Sequence, residues 1–220
     1  MKFTTYTTFP EQTSNESLWV LVDSEQLQTN LNTYQINNIE NILTATQFKA
    51  NFNETLPLFG QLTHQAHTQL LGLGKAAELQ AVKLAKLAQT IIKSTQNKFK
   101  HIAIDIAALP VEYHYLFALS LTQAAYGYDE FKSKKNEFVL QQVDLISSQT
   151  NLDESQLALV HAVQSGQSYA RDLGNRPGNI CFPEYLAEQA LALAAEFPDL
   201  LKVTVLNEHQ MADLGMYAFL

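Results

Sequence analysis

One stretch, Ser165 to Leu186 (SGQSYARDLGNRPGNICFPEYL), constrains the chain most, because no helix can run through it. Gly174, Asn175, Pro177, Gly178, Asn179 and Pro183 follow one another within ten positions. Proline fixes φ and removes an amide donor, whereas glycine and asparagine accept the left-handed region, so the segment must be a loop. Helical patterns flank it. Leu159, Val163, Gly166, Ala170 and Leu173 lie on one face before it, and Leu186, Ala190, Leu193 and Phe197 on one face after it. The more ordinary reading is a helix–loop–helix connector. The stronger one is that two folded bodies meet here.

The first of these helices is expected over 152–173, opened by Asn151 and Glu154 at capping-box spacing. At about 20 residues it would be roughly 30 Å long, a suitable bridge. Upstream, strands and helices alternate. Leu18–Val22 is a buried-strand run, Leu56–Leu62 a strand interrupted by Pro57, and Thr68–Gly74 a strand ending in a glycine turn. Ala77, Ala81, Leu84, Ala88 and Ile91 mark a long helix. His101–Ala107 reads as a strand, Val111–Ala125 as a helix stopped near Gly127, and Glu137–Ile146 as a strand. Leu31, Ile36, Ile39 and Leu43 suggest one short helix in an Asn/Gln-rich region. This order predicts an α/β fold with a parallel or mixed sheet covered on both faces. Beyond the loop, Leu201–Leu206 reads as a strand and Asn207 as the cap of a short helix through Leu214. Residues 183–220 hold too little to bury a core alone, and the ending Gly215–Leu220 is apolar, so a chain cut inside a second domain is expected.

Apolar residues make up 46% of the 220, enough for a packed core. No apolar run approaches the roughly 18 residues of a membrane span, and the first ten residues lack a signal-peptide core. The single cysteine, Cys181, allows no internal disulfide, which suits a reducing cytoplasm. A net charge of −8 argues against nucleic acid as a partner for the surface as a whole.

Four segments resemble one family. Arg171-Asp-Leu173, Asn175-x-Pro177-x-Asn179 and Pro183-Glu-Tyr-Leu-Ala187 together resemble the opening of the catalytic domain of leucyl aminopeptidases, two-metal exopeptidases of the cytosol. Phe182 departs from the pattern, since that family usually has a threonine there to cap the next helix. Leu71–Lys75 resembles the family's GLGK turn, Tyr126–Lys134 its aromatic-Asp-aromatic-Lys-Ser segment, and Leu214–Leu220 its LGMGAFL strand, with Tyr217 in place of a glycine. The resemblance implies a macro-like N-terminal domain over 1–150, a linking helix and loop over 151–182, and the truncated start of a catalytic domain over 183–220. It also implies peptide substrates, a hexamer, and two divalent ions, manganese or zinc, in the full-length parent. The metal-binding strings of the family, resembling GKG-x-TFDSGG and NTDAEGR, do not occur in this chain. No catalytic, metal-binding or cofactor-binding residue is therefore assigned within 1–220.

Other candidates have blander explanations beside them. His64-x-x-His67 has metal-ligand spacing but no evident third ligand. Gly72-x-Gly74-Lys75, between a strand and a helix, could cradle a phosphate, or serve as a tight turn. Lys132, Lys134 and Lys135 form a small basic patch, the first candidate for a DNA contact and otherwise a solvated loop. Asp105 is either a buried carboxylate or a strand-end turn residue, and Cys181 has no recognisable histidine partner. Three functions follow: the N-terminal part of an aminopeptidase, serving assembly and active-site shielding; a macro-like module for ADP-ribose or another nucleotide; or a DNA-binding domain. The Arg171–Ala187 segment favours the first.

Overall fold

A computed structural model describes residues 1–8, 16–32, 34, 36, 38–62, 65–135, 137–149 and 152–219. It divides into two compact units, Met1–Ser168 and Tyr169–Leu220. The division falls inside a helix, Glu154–Asn175.

The first unit is built on a six-stranded mixed sheet. Its strands are β1 (Lys2–Tyr6), β2 (Ser17–Asp23), β3 (Thr55–Leu62), β4 (Gln65–Gly74), β5 (His101–Asp105) and β6 (Gln142–Ile146). Their order is β1-β6-β5-β2-β4-β3, and every neighbouring pair is parallel except β3 with β4. All seven residues of β2 are buried, as its uninterrupted apolar run requires of a strand covered on both faces. Alternate residues then serve two cores. Trp19 and Leu21 join α3 (Ala81–Thr95), α4 (His114–Ala125) and Val160 of α5 (Glu154–Asn175) on one face. Leu18, Val20 and Val22 join Leu31 of α1 (Leu27–Asn32), with Ile39, Ile42 and Leu43 of α2 (Ile39–Thr46) against them, on the other. Each fully buried large side chain contributes about 1.5–3 kcal/mol, so the double-sided burial of β2 makes it the centre of this unit.

Three local readings differ from the sequence expectation. The predicted single helix around Leu31–Leu43 is two helices, because Asn38 adopts a left-handed conformation (φ 55°) that interrupts the helical path. The predicted strand from Glu137 begins only at Gln142. The amides of Val139 and Leu140 bond instead to the Gln96 carbonyl, and that of Gln141 to Lys100. Residues 201–206 form no strand, for their peptide groups have no ladder to join. The amino-terminal KFTTY, read as no element from sequence, is β1, held by a parallel pairing with residues about 140 positions away.

The second unit contains the end of α5, a loop, α6 (Pro183–Glu196) and α7 (Glu208–Asp213). In the loop the amides of Ile180 and Cys181 both donate to the Pro177 carbonyl, at 2.9 Å each. Pro183 occupies the first turn of α6, where its missing N–H costs nothing. Phe182 at the N-cap offers no side-chain acceptor, in line with its departure from the family's threonine. Asn207 and Gln210 form a full capping box on α7. No described residue of 169–219 is buried, so this unit has no core of its own.

Candidate functional site

The parallel strands end in two carboxylates, Asp23 and Asp105, on adjacent strands. The connection out of β2 leads toward β4, and that out of β5 toward β6 on the opposite side. Such a switch point is where α/β sheets commonly bind ligands. Here both carboxylates are committed to the chain itself. Asp23 Oδ1 accepts from the amides of Glu25 (2.9 Å) and Ala76 (3.3 Å), which ties the two strand ends together. Asp105 Oδ1 accepts from the Ala107 amide at 2.7 Å, and Oδ2 from the Tyr34 hydroxyl. Burial pushes the Asp105 carboxyl up to about 6, against the opposing pull of the Ala107 amide. Asp105 is thus a half-buried carboxylate and a turn former at the strand end.

The glycine turn is not a phosphate cradle. Gly72 N donates to Glu54 O (2.8 Å) and Gly74 N to Ala50 O (3.0 Å), so neither amide is available to an anion. A Cβ on Gly72 would lie 2.2 Å from Asn51 O, which shows what the glycine is for: the 50–54 loop crosses β4 backbone to backbone. Gly74, at φ +71°, makes the turn itself. Lys75 pairs with Glu25 (3.2 Å) and Glu78 (3.4 Å), and these partners raise its pKa, the Glu25 hydrogen bond first.

The remaining candidates do not converge. His64 lies outside the described residues, as does Asn151 of the predicted capping box. His67 is exposed on β4, its ring 5.3 Å from that of Phe99. Lys132, Lys134 and Lys135 are exposed in an irregular segment. Cys181 is half-buried. Asp153 caps α5 through the Gln156 amide at 2.8 Å, the bond that first lowers its pKa. An open groove lined by Leu27, Leu43, Thr44, Gln47, Phe48 and Lys49 presents no acid or imidazole. Among the described residues, no group of three or more His, Cys, Asp or Glu side chains is arranged to hold a metal ion, so these residues do not fit a two-metal centre.

Sequence reading missed two buried polar pairs. His101 Nε2 lies 2.9 Å from Asp144 Oδ2, across the β5–β6 pairing, and Gln142 Nε2 donates to Asp144 Oδ1 at 2.9 Å. His114, at the start of α4, donates from Nε2 to Leu109 O at 3.0 Å, and burial holds its pKa below the usual imidazole value. Only the strand register brings His101 to Asp144, and nothing in their sequence spacing signals it.

A sequence profile described as the N-terminal domain of the cytosol aminopeptidase family matches residues 20–135. The chain belongs to the cytosol aminopeptidase family. A probable cytosol aminopeptidase of Acinetobacter baumannii is 94% identical over all 220 residues, which cover 46% of that relative. The chain therefore spans about half the length of the curated relatives it matches. The fold is also that of a tomato leucine aminopeptidase mutant (TM-score 0.80, 18% identity, covering 98% of this chain and 46% of that one). A bottromycin maturation enzyme in complex with manganese matches at TM-score 0.62 and 17% identity, over 83% of this chain and 37% of its own.

Proposed function

We propose that the chain is the N-terminal part of a cytosolic leucyl aminopeptidase, a hydrolase that removes N-terminal amino acids from peptides. The single observation that carries this reading is the 94% identity, over every residue, to a probable cytosol aminopeptidase. Residues 1–150 are its macro-like domain, 151–182 the linking helix and loop, and 183–220 the start of the catalytic domain. The confinement of all described strands to positions 2–146 supports that division, as does the boundary between compact units within α5. Catalytic, metal and cofactor residues fall outside positions 1–220. The role of this part is assembly into a homo-oligomer, a hexamer in the family it resembles, and shielding of the active site.

The parent holds two divalent ions, manganese or zinc, which activate water and polarise the scissile carbonyl when bound. The manganese complex of the bottromycin enzyme, a structural neighbour, supports metal dependence. Neither alternative function has an observation in its favour. The amides of Gly72 and Gly74 are spent on the 50–54 loop, and the lysine patch lies on a chain of net charge −8. The test is leucine p-nitroanilide hydrolysis by this chain continued with the remaining sequence of the A. baumannii relative. Chelator-sensitive release is expected, and a purified, folded, metal-loaded product without turnover would overturn the reading.

A further inference from the structure

We propose that β1 is a self-pairing edge, through which two copies of the chain join their sheets antiparallel about a twofold axis at Thr4. The inference deepens the assembly role proposed above, and the geometry of the sheet carries it. The strand order leaves two edges, β1 and β3. In β3 the Glu54 carbonyl accepts from the Gly72 amide, so alternation along the ladder turns Pro57 to the outer side. Proline has no amide to offer there, and it guards that edge. β1, Lys-Phe-Thr-Thr-Tyr, has no proline, glycine or bulge, and it pairs with β6 residue for residue over its whole length. Lys2 N donates to Gln141 O at 2.7 Å, and Tyr6 O accepts from Ser147 N at 3.0 Å. In a parallel ladder the residues at positions 2, 4 and 6 thus turn both peptide groups toward β6, and Phe3 and Thr5 turn theirs outward. Among the described residues no backbone group bonds to these outward groups.

The spacing of the outward groups selects a second copy as the occupant. An antiparallel pair exchanges two bonds at every second position. With Thr4 on the axis, Phe3 faces Thr5 of the second copy, and Thr5 faces its Phe3. Every outward N–H and C=O of both strands is then bonded. The side chains agree, since aromatic–threonine and threonine–threonine pairs across strands are favourable. Charge agrees as well. Lys2 is the only charged side chain of β1 and is exposed, and the Met1 amino group adjoins it. The other end of β1 lies by the start of α5, where Thr5 Oγ1 donates to Leu152 O at 3.3 Å and the exposed Asp153 and Glu154 follow. The antiparallel register therefore sets the cationic end of each copy against the acidic end of the other. Repulsion between two chains of net charge −8 is screened beyond about 8 Å at physiological salt, whereas these local contacts are not. Two bonds at each of two positions make a weak, reversible pairing rather than an obligate interface.

Cross-linking and amide exchange test the proposal on the 220-residue chain, with Cys181→Ser as the background for the cysteine variants. Thr4→Cys puts its thiol on the axis, at a non-hydrogen-bonded pair whose Cα atoms lie about 4.5 Å apart, within disulfide reach. Lys2→Cys is the control, about 14 Å from its counterpart along the strands. Random collision favours the control, because Lys2 is exposed and Thr4 half-buried. Mild oxidation is nevertheless expected to link Thr4→Cys chains at least about 10-fold faster than Lys2→Cys chains. Equal rates, or faster linking of the control, would overturn the proposal. In the unsubstituted chain the amides of Phe3 and Thr5 should exchange at least about threefold more slowly at about 1 mM than at about 10 µM, while those of β2 stay constant. Exchange independent of concentration would overturn self-pairing and leave the edge to a partner of another sequence. No readout here is turnover. A full-length protein without peptidase activity would refute the aminopeptidase reading and leave the self-pairing edge intact, and the converse also holds.

Discussion

Replacing Gly72 by alanine probes the way the first unit is locked together. The added Cβ would lie 2.2 Å from Asn51 O and 2.5 Å from Ala50 C, where ordinary contact begins at 3.4 Å. Both atoms are backbone, so no side-chain rotation relieves the overlap, and the 50–54 loop must lift away from β4. That movement breaks the bonds Gly72 N to Glu54 O and Asn53 N to Gly72 O, both 2.8 Å long. At about 1 kcal/mol net for each bond, with about 1 kcal/mol of residual strain, the loss is about 3 kcal/mol. Urea unfolding followed by the fluorescence of Trp19, the one tryptophan, reads this unit directly because that residue is fully buried in β2. The midpoint should fall with the slope unchanged. A loss below about 0.5 kcal/mol would mean that the loop does not ride on Gly72, and would refute the argument from backbone approach.

Other substitutions test separate links. Gly166→Ala, on an exposed turn of α5 with open space at the Cβ position, should stabilise the helix by about 1 kcal/mol, and its thermal melting should rise. Phe182→Thr should supply the missing N-cap of α6 and slow amide exchange in its first turn, at a gain of about 1 kcal/mol less the lost packing of Phe182 on Tyr185. Asp105→Asn should flatten the pH profile of stability. The folded-state value of about 6 lies above the ordinary 3.8, so the folded protein binds the extra proton. The cost of ionising Asp105 is thus absent below about pH 4, grows as pH rises toward 6, and reaches about 3 kcal/mol above it. Urea midpoints at pH 4.5 and 7.5 should move together in the variant and apart in the parent.

The alternation of elements was legible because it rests on local periodicity. The unbroken run of β2, the stripe of α3, and the helices on either side of the proline–glycine loop all lie where the residues place them. What was not legible depends on partners distant in the chain. The polar KFTTY becomes β1 only through its ladder to β6, and LKVTVL stays out of any sheet because no ladder reaches it. The same holds for the candidate site. Gly72 carried a turn signal, but its purpose is set by a loop twenty residues earlier that presses on β4. Asp105 announced a strand end, but its contact with Tyr34 crosses from an arm whose two helices the sequence merged into one.

The central claim is that this chain carries the family's N-terminal part and none of its catalytic chemistry. The most direct measurement is leucine p-nitroanilide hydrolysis by the purified 220-residue chain, with added manganese or zinc, beside the same chain continued with the relative's remaining sequence. The account predicts background release from the first and chelator-sensitive turnover from the second. Metal-dependent turnover by the 220 residues alone, abolished by a chelator and by substitution of a residue within them, would contradict it.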